Sequence, residues 1–294
     1  MIEFKDVKIK RILNPTSIDL GEYVINPYMG CEYSCLYCYV RSNKVISKRS
    51  GIWGAYVDIR INAPELLEKE LLSKKPECVL LGSTTDCFQP VEKRCTVTKR
   101  ILEILNKHNV YYNILTRSPY ITEYIDILKQ GFCKKIYFTI NRIPDELKNR
   151  LEQKSPGFEA RFNAINKMLY ENIAVVPYFS PILPWLSDFK DIFSLFPKSD
   201  VVEFEGLNIN LVNINDIISE IASIYPRLKS NYERLVKDKD FYSSFWNSIK
   251  KDIIREAIKA KKNYNNTSID SLTISIIHIP KQLYTLTMLR CKVV

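Results

Sequence analysis

Histidine is nearly absent: His108 and His278 are the only two in 294 residues. Acid–base catalysis centred on a His dyad, and metal sites built from several imidazoles, therefore have little material to draw on. Long apolar runs are missing as well. No stretch approaches the roughly 20 residues of a membrane span, and the opening segment MIEFKDVKIKRIL carries no apolar leader core. The expectation is a cytoplasmic protein with no membrane partner. Internal repeats and low-complexity tracts are absent too, which argues against solenoids and disordered tails.

What is present starts with ordinary globular content. Hydrophobic residues make up 46% of the chain, enough for one large domain or a domain with an appendage. The formal charge of +10 is unevenly placed. Residues 221–294 hold 14 Lys and Arg against 6 Asp and Glu, which puts +8 of it in the last quarter. A basic surface is the electrostatic footprint of a nucleic-acid partner. Lys-rich coding in a thermophilic or AT-rich organism produces the same excess, so both readings stand.

Three of the eight cysteines fall within eight positions: Cys31, Cys35 and Cys38, as C-x3-C-x2-C. One tight loop can then present three thiolates together, and such sets bind iron–sulfur clusters or zinc. A structural zinc site takes four protein ligands, and no fourth Cys or His follows nearby. A cubane cluster with one iron left open suits three thiolates. A zinc knuckle, or a disulfide with a spare thiol, are the bland alternatives. The other cysteines, Cys78, Cys87, Cys95, Cys133 and Cys291, are scattered and read as small buried hydrophobes.

Along the chain, short apolar segments at 22–28, 77–82, 110–116, 134–140, 174–179 and 200–207 read as six strands. An alternating segment at 56–61 reads as a seventh, peripheral one. Helical patterns occupy the residues after Asn62, which is placed to cap that helix ahead of Pro64, and then 98–108, 121–130, 145–152, 158–171 and 188–195. Strands separated by helices imply βα units and a parallel sheet. Six units fit a partial (β/α)6 barrel, although periodicity alone also permits a doubly wound sheet. Beyond residue 212 the alternation weakens: a long amphipathic helix over 240–262 precedes strand-like 271–279 and 284–293. The expected organisation is a core over 1–220, with the cysteine loop at 30–42, and a basic α+β extension over 221–294.

In a βα barrel the working residues sit at the C-terminal ends of strands. That rule selects Gly82-Ser83-Thr84-Thr85-Asp86, Thr116-Arg117-Ser118, Thr139 with Asn141-Arg142, and Ser180-Pro181-Ile182. Thr and Ser there are also common helix caps, and Asp86 and Glu92 read equally well as loop-orienting or capping groups. Trp53 and the tail aromatics read as core.

C-x3-C-x2-C with an aromatic, Tyr37, before its last Cys resembles the signature of the radical S-adenosylmethionine (SAM) superfamily. Asn26-Pro27-Tyr28, Gly30, Cys38-Tyr39-Val40-Arg41 and Gln89-Pro90-Val91-Glu92 resemble its spore-photoproduct-lyase-like branch, and the likeness runs from about residue 14 to 207. The resemblance implies a [4Fe-4S] cluster on Cys31, Cys35 and Cys38, and S-adenosyl-L-methionine on the open iron. It implies further that Ser83, Thr84 and Thr85 accept from the methionine amino group. Arg117 stands where the branch carries a Lys and suits the methionine carboxylate. Thr139 would touch carboxylate or ribose, while Ile182 and Tyr37 would meet the adenine. An electron donor such as flavodoxin or ferredoxin is implied as partner.

The resemblance has a limit. Spore photoproduct lyase uses a cysteine just before the Asp that follows strand two, and Thr84 stands near that place here. Cys87 and Cys291 are the remaining candidates for a hydrogen donor, with a buried structural thiol as the plain reading of each. The function expected is therefore SAM cleavage and hydrogen abstraction from an unidentified substrate, nucleic acid among the classes. The alternative is a non-catalytic iron–sulfur or zinc protein that binds nucleic acid.

Overall fold

In a computed structural model of the chain, residues 1–43, 46, 49, 51–263, 272–278 and 287–293 are described. They fall into two compact units. The first comprises Met1–Cys35, Asn43–Thr139 and Lys154–Val175; the second comprises Leu36–Ser42, Ile140–Gln153 and Val176–Val294.

The first unit begins with β1 (Glu3–Val7), β2 (Asn14–Pro15), β3 (Tyr23–Ile25) and β4 (Tyr28–Met29), then β5 (Tyr56–Arg60), β6 (Cys78–Leu81), β7 (Tyr111–Thr116) and β8 (Cys133–Ile140), whose last residue lies in the second unit. Strands β3, β6, β7 and β8 pair in parallel, with Val24 opposite Leu80, Leu80 opposite Asn113 and Ile114 opposite Ile136. Val79, Leu80, Leu81, Ile114, Ile136 and Phe138 are fully buried. Near-continuous apolar runs of this kind are what a sheet covered on both faces requires. Three longer helices, Ala63–Ser73, Val97–Lys107 and Phe158–Tyr170, supply the crossovers. Val97–Lys107 buries Val97, Ile101, Leu102 and Leu105, the 3–4 spacing of a one-sided helix.

Two local expectations change in this unit. Asn62 precedes its helix but makes no side-chain cap; its amide instead pairs with both the N–H and the carbonyl of Ile9, at 2.9 Å each. The helix expected over 121–130 is a 3-10 segment, Pro119–Tyr124, followed by the single turn Ile125–Leu128. Pro119 opens that segment, and Ser118 caps it by accepting from the Tyr120 N–H.

The second unit carries β9 (Val175–Ile182), whose first residue belongs to the first unit, and β10 (Val201–Gly206) parallel to it. The tail returns as β11 (Leu272–His278) and β12 (Thr287–Val293), a pair of antiparallel strands, with β12 also antiparallel to β10. The long C-terminal helix, Lys239–Asn263, buries Trp246, Ile253, Ala257 and Ala260. Gly206 admits the Trp246 ring: a Cβ there would lie 2.4 Å from it. The helix expected over 188–195 is only Ile192–Leu195, because Asp188 donates its N–H to the Arg142 carbonyl and Asp191 adopts φ +57°.

All six expected strands are present, as β3, β6, β7, β8, β9 and β10, and the chain is an α/β protein with the strand–helix order of a partial barrel. No helix among the described residues is long and apolar enough to cross a membrane.

Candidate cluster and cofactor site

The cysteine loop begins in the first unit, where close backbone approaches fix its path. Gly30 adopts φ +94°, and a Cβ there would lie 2.3 Å from the Tyr56 carbonyl. Cys31 and Cys35 are buried, and the Ser34 N–H closes a turn onto the Cys31 carbonyl. The segment after β6 grips this turn. Thr85 Oγ1 donates to the Gly30 carbonyl at 2.6 Å, and Gln89 Oε1 accepts from the Glu32 N–H at 2.8 Å. The Glu32 carboxylate in turn accepts from the Val91 N–H, and burial pushes that carboxyl up. Reciprocal bonds between two loops hold both without regular structure.

Asn26 and Asp86 organise the strand ends of this unit. Asn26 Nδ2 donates to Ser83 Oγ at 3.0 Å, and Asn26 Oδ1 accepts from the Thr84 N–H at 2.9 Å. Asp86 accepts from Thr116 Oγ1 at 2.8 Å and from the Phe88 and Arg117 N–H groups at 2.9 Å each. Burial raises its carboxyl, and these three bonds oppose the rise. Asp86 thus orients the loop after β7. Ser118 accepts from Tyr33 at 2.7 Å, tying Tyr33, between two cysteines, to that loop. Arg117 then extends its Nη1 to 3.0 Å from Cys35 Sγ. Ser155 Oγ lies 3.3 Å from the same sulfur. Thr139, at the end of β8, is half-buried.

The second unit holds the rest of the loop. The Leu36 N–H donates to the Leu151 carbonyl at 2.9 Å, and Asn213 Nδ2 donates to the Leu36 carbonyl at 2.8 Å. The Tyr37 hydroxyl donates to the fully buried Glu152, which also accepts from Asn141 Nδ2 at 2.6 Å. Cys38 is half-buried, and its carbonyl accepts from the Arg41 N–H. Ile182 at the end of β9 is buried, and two residues earlier the Ser180 hydroxyl donates to Glu205.

Of the two candidate hydrogen donors, Cys87 is fully enclosed, and burial pushes its thiol well up, with Asp86 adding to the rise. Cys291 lies on β12 opposite Val202; its side chain is outside the described residues. Glu92 is a capping group: it accepts from the Thr98 and Lys99 N–H groups at 3.0 Å each. Asn26, Tyr33, Glu152 and Ser155 had no signal marking them as site residues beyond the Asn-Pro-Tyr motif, since their partners lie tens of residues away in sequence.

Three clustered cysteines are the donor set of a cubane with one iron left open, and one ligand short of a structural zinc site. None of the seven described cysteines is in a disulfide. Among the described residues no three His, Cys, Asp or Glu side chains converge as the ligands of one ion must.

Comparisons with known proteins bear on the family and the fold. An uncharacterized protein of Methanocaldococcus jannaschii is 35% identical over 212 residues, covering 71% of this chain and 79% of its own length. An uncharacterized protein of Mycobacterium tuberculosis is 25% identical over 197 residues, and the chain spans only 58% of it. A spore photoproduct lyase mutant superposes with a TM-score of 0.52 at 13% identity, covering 97% of this chain and 73% of that one. Another, with bound AdoMet and dinucleoside spore photoproduct, gives 0.50 at 16% identity over 74% of this chain and 57% of its own. At these identities the lyase structures speak for the fold alone. The sequence model of the Radical SAM superfamily matches residues 25–195, a span that holds all three clustered cysteines and the strand ends selected above. With more than half of its 294 residues inside that match, the chain belongs to the radical SAM superfamily.

Proposed function

We propose that the protein is an enzyme that binds a [4Fe-4S] cluster through Cys31, Cys35 and Cys38 and cleaves SAM reductively. When bound, the two groups together supply a 5′-deoxyadenosyl radical for hydrogen abstraction from a substrate. The observation that carries this reading is the Cys31–Cys38 spacing inside the family match, with Arg117 drawn to the Cys35 sulfur.

The chain's own residues divide the remaining work. Ser83 and Thr84 are held by Asn26 at the end of β6, where small polar groups suit an ammonium. Arg117 is a planar donor that suits a carboxylate. On the family motif, Thr85 and Thr139 join them from the first unit, and Tyr37 and Ile182 from the second. Hydrogen abstraction needs no acid–base pair, which agrees with the shortage of histidine. The substrate class we favour is nucleic acid, supported by the +8 charge of residues 221–294, the basic extension to a core over 1–220. Thr84 in place of the lyase cysteine argues for a reaction other than repair of a thymine dimer. A cytoplasmic flavodoxin or ferredoxin is the proposed reductant.

The test is anaerobic reconstitution with iron and sulfide, then reduction with dithionite in the presence of SAM, reading 5′-deoxyadenosine. Formation that disappears in Cys35→Ala is the expected result. A protein that takes up zinc in preference, or a cluster that forms and never cleaves SAM, would overturn the reading.

A further inference from the structure

Two polar groups from distant parts of the first unit meet at one sulfur. Arg117 Nη1 lies 3.0 Å from Cys35 Sγ, and Ser155 Oγ lies 3.3 Å from it, 120 residues along the chain. Ser155 is 4% exposed, so water does not compete for its hydroxyl. Both of its neighbours are pinned. Lys154 Nζ donates to the Gly54 carbonyl at 3.2 Å. The Pro156 carbonyl accepts at 2.8 Å from Arg161 Nε, on a side chain that is itself buried. Proline fixes its own φ, which further limits the segment. The hydroxyl is therefore held against the sulfur by its surroundings.

A hydroxyl and a thiol can each donate to the other, but a metal-bound thiolate can only accept. With a cluster on Cys35, the Ser155 O–H has to turn toward the sulfur. Donors to cysteinyl sulfur disperse negative charge, and so favour the cluster state with one electron more. We propose that Ser155 is a positioning residue that raises the reduction potential of the cluster through the Cys35 thiolate, alongside Arg117. The proposal rests on the proposed function, because it requires that the cysteines hold a cluster. Ser155 is the informative member of the pair, since Arg117 also has a candidate role at the SAM carboxylate.

The experiment is a redox titration of the reconstituted full chain without SAM, followed by electron paramagnetic resonance, for wild type, Ser155→Ala and Ser155→Thr. At a fixed potential, Ser155→Ala should show a reduced-to-oxidised ratio lower by about tenfold, which is about 59 mV for a one-electron couple. Ser155→Thr, which keeps the hydroxyl, should restore the wild-type midpoint. A midpoint unchanged in Ser155→Ala, a shift that Ser155→Thr does not reverse, or loss of iron uptake in Ser155→Ala would each overturn the tuning role while leaving the proposed function standing. A wild-type protein that forms no [4Fe-4S] signal would overturn both.

Discussion

Gly30 shows how strictly the cysteine loop is specified at the level of single residues. Its φ of +94° is unfavourable for any side chain, and a Cβ would meet the Tyr56 carbonyl at 2.3 Å, a backbone atom that cannot swing aside. Gly30→Ala should therefore destabilise the protein by about 2 kcal/mol or more, from the left-handed strain together with the displaced strand. Urea denaturation at neutral pH would measure it; a change under about 0.5 kcal/mol, the range of ordinary surface substitutions, would show that the turn is not constrained as described. The cysteines beside it were legible from spacing alone. Ser155 was not, because nothing in one sequence says that residues 120 apart share a sulfur.

Among the elements, the helix Val97–Lys107 depends on a group outside itself. Its N-cap residue, Thr96, sits at φ +51° and makes no side-chain cap. Glu92 replaces that cap from four residues earlier, accepting from Thr98 and Lys99, while Tyr124 at 2.9 Å and Tyr28 donate to the same carboxylate. Substituting Glu92→Ala would leave two helix N–H groups and two buried hydroxyls without their acceptor. The expected loss is at least about 2 kcal/mol, given about 1–3 kcal/mol for each buried group that finds no replacement. Thermal unfolding would register this as a fall in Tm of several degrees; an unchanged Tm would mean that water reaches and satisfies the site. The helix and the capping role of Glu92 were both legible in the sequence, whereas Asn62 was not: its amide bonds to Ile9 rather than to its own helix. Capping signals are local, and the segment after β1 competes for the same amide.

At the scale of the molecule, the basic tail is built into the second unit's architecture. β12 pairs with β10, and Gly206 at the end of β10 packs under Trp246 of the long helix. Cutting the chain at residue 220 would sever the helix Ile214–Ile224 and strip β10 of β12, one of its two neighbours, so charge substitution is the cleaner probe of nucleic-acid binding. Lys237, Lys239 and Lys251 are exposed. Replacing all three with Gln should weaken affinity for single-stranded DNA or RNA while the fold holds. The plot of log K against log salt should flatten by about 0.7 for each phosphate that is no longer neutralised. A slope equal to that of wild type would remove these lysines from the interface.

The sequence by itself determined the spacing of Cys31, Cys35 and Cys38, the six strands and their order along the chain. Spacing within a loop and periodicity within an element are set by neighbouring residues, so they can be read locally. Only the tertiary structure decided which groups address the cysteines: Arg117 and Ser155 at Cys35, Glu152 at Tyr37, and the Asn26 and Asp86 bonds that hold the strand-end loops. Those interactions join segments tens of residues apart. A buried polar group must find a partner wherever the fold brings one within reach, and no local pattern encodes which one that is.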